Sequence, residues 1–139
     1  MKIMKVIFLV FMISCGNLFA QYQSVIKVET IFKSDTTSIG QKIIYPNSEN
    51  NEVTIARITI PAGESTGWHL HEFPVFAYIE SGTLTVKFEG GEEKNFTANS
   101  GFAEVINLLH NGYNSGKEDL ILIAFFLGEK GKPLSKHKD

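Results

Sequence analysis

Three of the four histidines, His69, His71 and His110, fall in the middle of the chain, and His137 lies close to its C-terminus. On a β-strand alternate side chains share a face, so His69 and His71 can turn their ring nitrogens toward one ion. Neutral imidazole binds Fe, Mn, Zn and Ni, and a third histidine from a distant strand would complete a facial set with open coordination positions. Taken alone, His-x-His is equally compatible with two exposed polar residues. No Ser, Cys or Lys is visibly paired to a base. There is also no phosphate-binding Gly loop and no acidic dyad spaced for glycoside chemistry, so metal chemistry is the enzyme reading that remains.

The elements that must position these residues read as strands. Short apolar or alternating runs recur at Val25–Ile31, Ile43–Tyr45, Val53–Ile60, Trp68–Leu70, Val75–Ile79, Thr83–Phe88, Phe102–Ile106 and Leu120–Leu127. Between them lie turn formers such as Pro61-Ala62-Gly63, Glu80-Ser81-Gly82, Gly90-Gly91 and Asn99-Ser100-Gly101. Apolar residues nowhere hold a 3.6-residue period for three turns, so no helix of consequence is predicted. The pattern specifies an all-β domain, a sandwich or a barrel.

The same residues resemble the first motif of the cupin superfamily, which runs Gly, five residues, His-x-His, three or four residues, Glu, six residues, Gly. Gly63, His69-Leu70-His71 and Gly82 stand at the matching spacings, with Val75 where the family has Glu. His110 and Asn114 match the His and Asn of the second motif, whereas Val105 and Asn107 replace its Pro and Gly. The resemblance covers roughly Val53 to Leu127 and implies a cupin-type β-barrel or jelly roll like that of small single-domain bacterial cupins.

It also implies a divalent transition metal (Fe, Mn, Zn or Ni) held by His69, His71 and His110. Because Val75 replaces the family's carboxylate, a bare three-histidine centre is expected, a minority type in the family. The alternative places Glu104, which stands ahead of the second-motif His as in related small cupins, as a fourth ligand or as a hydrogen-bond partner of a ligand histidine. Strand alternation from His71 predicts that Phe73 and Val75 line a substrate pocket, provided that Pro74 does not interrupt the pleat. Asn114 is a candidate for orienting substrate by its amide, or a former of the turn at Ser115-Gly116. Such a site would serve a small organic molecule, in a dioxygenase- or isomerase-like enzyme or in a non-catalytic module that binds a small molecule or a sugar.

The N-terminus bears on location. Residues 1–20 show an early Lys2 and Lys5, an apolar run from Val6 to Ile13, and Leu18-Phe19-Ala20 before Gln21, which is secretory signal-peptide grammar. The run is too short for a stable membrane span of about 20 residues. Cys15, the only cysteine, gives a weaker lipoprotein reading. Cleavage after Ala20 leaves a domain over 21–128, a polar tail over 129–139 expected to fray, and a periplasmic or secreted protein. The mature chain would then carry eleven Lys plus Arg against fifteen Asp plus Glu, a formal charge of −4. That balance, with Arg57 the single arginine, argues against nucleic acid and against bidentate phosphate clamping. A homodimer is left open. Mass spectrometry of the native protein is expected to find Gln21, or its cyclised form, at the N-terminus; a diacylated Cys15 would establish the lipoprotein instead.

Overall fold

The structure, a computed structural model, describes residues 26–138. The signal-peptide and Cys15 expectations lie outside them. Nine strands follow one another: β1 (Asn51–Ile60), β2 (His69–Leu70), β3 (Val75–Ser81), β4 (Thr83–Phe88), β5 (Glu93–Thr97), β6 (Gly101–Ala103), β7 (His110–Asn114), β8 (Leu120–Glu129) and β9 (Lys136–His137). They form a four-stranded sheet in the order β1-β8-β3-β6 and a five-stranded sheet in the order β5-β4-β7-β2-β9. Every pairing is antiparallel. Among the described residues there is no helix, and none long and apolar enough to cross a membrane.

The inward faces of both sheets supply one core. Ala77 and Ile79 of β3, Leu84, Val86 and Phe88 of β4, and Leu120 and Leu122 of β8 are buried together. Alternation explains the choice of residues, since β3 and β8 bury every second side chain along most of their length. A second cluster, Phe73, Val75, Ala124 and Phe126, fills the end nearer the histidines.

Three expected elements differ. Residues 26–31 are exposed and form no strand despite their apolar content, and Ile43–Tyr45 makes no ladder. β5 and β7 form in stretches to which the apolar pattern assigned no strand. Glu93–Thr97 is polar because it is an edge strand with one wet face, and β7 carries Gly112 where a side chain would press on Leu84. The tail does not fray: β8 runs on to Glu129, and β9 pairs with β2, His137 opposite His69 and Lys136 opposite Leu70.

Gly82 makes the tight β3–β4 turn with a φ of 84°, and an added Cβ there would lie 3.1 Å from the Leu120 Cα. Both the left-handed backbone and that contact require glycine. Gly82→Ala is expected to cost about 1–3 kcal/mol, read as a lower urea midpoint with an unchanged slope.

Candidate metal centre

The register of β2 and β7 builds the first half of the site. His69 stands directly opposite His110, so both side chains enter the same face, and His71 follows two residues further along. Their ring centroids are 4.4 Å apart for His69 and His110, 5.0 Å for His69 and His71, and 5.2 Å for His71 and His110. All three side chains are buried.

Glu104 supplies the second half. β3 and β6 pair Phe76 with Ala103, and the next step along the ladder is the bond from the Glu104 N–H to the Val75 carbonyl, 2.8 Å. Val75 and Glu104 are therefore cross-strand neighbours. The carboxylate missing at Val75 is delivered from the facing strand, and one of its oxygens lies 3.1 Å from Nε2 of both His71 and His110. One donor atom from each of His69, His71, Glu104 and His110 falls within 4.8 Å of every other. The arrangement is thus three histidines with Glu104, not the bare three-histidine centre expected.

Each imidazole is oriented by a backbone carbonyl. Nδ1 of His69 lies 2.9 Å from the Gly67 oxygen, that of His71 2.7 Å from Leu134, and that of His110 3.0 Å from Leu108. A carbonyl only accepts, so all three Nδ1 atoms carry hydrogen and the Nε2 lone pairs of the neutral rings point inward. Lone pairs facing a carboxylate repel it unless a proton or a cation lies between them. This donor set therefore fits a divalent cation, which would take the Nε2 atoms and Glu104 as ligands.

Without an ion, protons take over that role. Burial favours a neutral His71, but the hydrogen bond and charge of Glu104, with help from the Leu134 carbonyl, outweigh it and raise its pKa. Burial likewise favours a protonated Glu104, yet the hydrogen bonds and charges of His110 and His71 hold it well below the usual carboxylate range. His69 makes no hydrogen bond to Glu104 and feels only its charge, weakly. Burial, against the opposing Gly67 hydrogen bond and with added repulsion from His110 and His71, pushes it down to about 4.

The histidines and Glu104 open onto a partly open cavity of about 60 Å³, walled by Ile58, Val86, Phe88, Phe102, Leu122 and Phe126. Phe73, Val75 and Asn114, expected in a substrate pocket, do not line it. After His71 the chain leaves β2, passes Pro74 and enters the other sheet at Val75, so the alternation does not carry across, and Phe73 and Val75 pack against Ala124 and Phe126. Asn114 lies two pleats from His110, roughly 13 Å along the strand. Its amide donates to the Ile60 and Glu118 carbonyls and accepts from the Gly116 N–H, the turn-forming role. Asn107 keeps the altered second-motif turn, for its φ of 55° is the left-handed conformation that glycine favours and asparagine tolerates.

Three contributors escaped the sequence reading. The Thr66 hydroxyl lies at the cavity wall, 3.4 Å from His69 Nδ1, the Leu134 carbonyl holds His71, and His137 stands beside His69 with ring centroids 5.7 Å apart. Only Thr66, three residues before His69, was close enough in sequence to be suspected.

The cupin domain matches residues 56–126, half of the chain, and the protein belongs to that family. Solved structures agree on the fold. A cupin-like protein from Thermotoga maritima is 15% identical over 62% of this chain and 64% of its own, with a TM-score of 0.54. The DMSP lyase DddQ from Ruegeria pomeroyi is 13% identical over 62% of this chain and 43% of its own, with a TM-score of 0.54. A Bacillus halodurans protein is 18% identical over 63% of this chain and 70% of its own, with a TM-score of 0.52. The match spans less than two thirds of the Thermotoga and Ruegeria proteins. Comparison with curated proteins gave no match.

In the metal-free protein, His69 is expected to titrate near pH 4 and His71 above the ordinary histidine value, resolved by NMR of labelled imidazole. Because the unfolded chain protonates His69 first, its contribution to stability is present above about pH 6.5 and is lost as pH falls toward 4.

Proposed function

We propose that this protein is a periplasmic or secreted cupin that binds a divalent transition metal through His69, His71, His110 and Glu104 and presents it to a small organic molecule. The observation that carries this reading is the convergence of three imidazoles, each locked by its Nδ1–H, on one carboxylate. A water-sized group needs roughly 10–15 Å³ of such space, so the cavity suits a ligand of a few non-hydrogen atoms. When bound, the metal supplies Lewis acidity toward an oxygen-bearing ligand, or oxygen chemistry if it is iron.

The chain's own residues do the rest. Phe88, Phe102 and Phe126 wall the ligand face with apolar surface, and the lower dielectric there strengthens charge interactions. Thr66 places a hydroxyl at the same wall, positioned by the bond it accepts from the Gly112 N–H at 3.0 Å. Glu104 lowers the net charge of the loaded centre by one, so bound water would be less acidic than in a bare three-histidine site. The secretory location rests on the grammar of residues 1–20.

Protein purified without a histidine tag is expected to carry about one equivalent of metal by elemental analysis. Glu104→Gln should weaken affinity on the order of 10- to 100-fold or more. Absence of metal after refolding with Fe, Mn, Zn and Ni would favour the non-catalytic reading, in which the histidines act as hydrogen-bond donors to a small molecule or sugar.

A further inference from the structure

We propose that the C-terminal segment, residues 133–138, is a strap belonging to the metal centre, in which the Leu134 carbonyl is the positioning group for His71. The proposal rests on the metal-binding reading above and adds to it the element that keeps one ligand in place.

The three imidazoles are not held alike. His69 and His110 bond to carbonyls two residues upstream, Gly67 and Leu108, so each orientation is local to its own strand. His71 bonds to a carbonyl 63 residues downstream, at 2.7 Å. Its strand is the weakest support in the site. β2 has two residues and one paired position with β7, and its two remaining pairs are made with β9 of the strap. His71 lies just beyond them.

The strap is fastened to the ligand strand by polar contacts. The Lys138 N–H donates to the Trp68 carbonyl at 3.0 Å, Lys136 pairs with Glu72 at 2.7 Å, and Lys138 approaches Glu89 at 3.8 Å. These contacts flank His69-Leu70-His71 on both sides. The strap buries almost nothing itself, for Ser135 alone among residues 133–138 is even half-buried. Its loss would leave both apolar clusters intact while freeing the His71 ring to rotate away from Glu104. A strand that adds no core and holds one ligand is a component of the centre.

The test compares Co(II) titrations of the full-length chain with those of a chain ending at Lys132. The truncated protein is expected to keep its β circular dichroism, to bind Co(II) on the order of 10- to 100-fold more weakly, and to show an altered Co(II) visible spectrum. In labelled metal-free protein at alkaline pH, the His71 nitrogen signals should move from the Nδ1–H tautomer toward a mixture, with those of His69 and His110 unmoved. Should truncation prevent folding, the comparison passes to Lys136→Glu, which sets a like charge against Glu72, and to the double variant Glu72→Lys with Lys136→Glu, which re-forms the pair. Weakening in the single variant and recovery in the double supports the strap. Co(II) affinity and spectrum equal to those of the full-length chain, in a folded truncation or in Lys136→Glu, overturns it and leaves the metal centre standing. Failure of the full-length chain itself to bind Co(II) overturns the metal reading and the strap with it.

Discussion

A carboxylate set against imidazole lone pairs is repelled, and that repulsion organises this molecule. Backbone carbonyls fix the proton of each ring on Nδ1, so the nitrogens that face Glu104 have only lone pairs to offer while the rings are neutral. Positive charge must enter the space between them. Protons supply it in the metal-free protein, which is why His71 becomes a stronger base while Glu104 becomes a stronger acid. A divalent cation would supply it more completely, because one donor atom from each of the four residues lies within 4.8 Å of the others. The buried polar cluster keeps its orientation through hydrogen bonds from the rings to the main chain.

Two register relations deliver the groups. His69 opposite His110 joins the motif strand to β7, and Val75 opposite Glu104 joins the two sides of the β3–β6 ladder. A cross-strand pair points its side chains to one face about 5 Å apart, so a carboxylate can change strands and still reach the same point. Glu104, across from Val75, is in that position. Val75 is packed with Phe73, Ala124 and Phe126 and serves as apolar support.

What the sequence made legible follows from range. The His-x-His pair, its turn glycines and most of the long strands obey local rules of alternation and turn chemistry, and they could be read directly. Glu104 was visible as a candidate, but the register that sets it opposite Val75 joins two positions 29 residues apart in the sequence. Phe73 and Val75 were misplaced because alternation holds only within one strand, and the chain changes sheets at Pro74. Asn114 carried the right signal for a turn, and the turn prevailed over substrate contact. The tail looked like a solvated terminus because Lys130, Lys132, Lys136 and Lys138 make it polar. Its pairing with β2 depends on main-chain hydrogen bonds, which leave no hydrophobic mark.

The polar framework also determines how rigid the centre is. The loop after Glu104 is pinned twice: the Asn107 N–H donates to the His71 carbonyl at 2.8 Å, and the Gln41 side chain bridges the Ile106 N–H and carbonyl at 3.0 and 3.1 Å. His71 is accordingly held through its own carbonyl by the loop after Glu104 and through its ring by the segment that carries Leu134. Apolar residues shape the cavity, but the three imidazoles are fixed by directional bonds to the backbone. Directional bonds tolerate little displacement, so a small shift in the terminal segment or in the Gln41 bridge reaches the ligands without passing through the core. The centre's geometry and the domain's stability therefore rest on different contacts, and sequence can alter one while sparing the other.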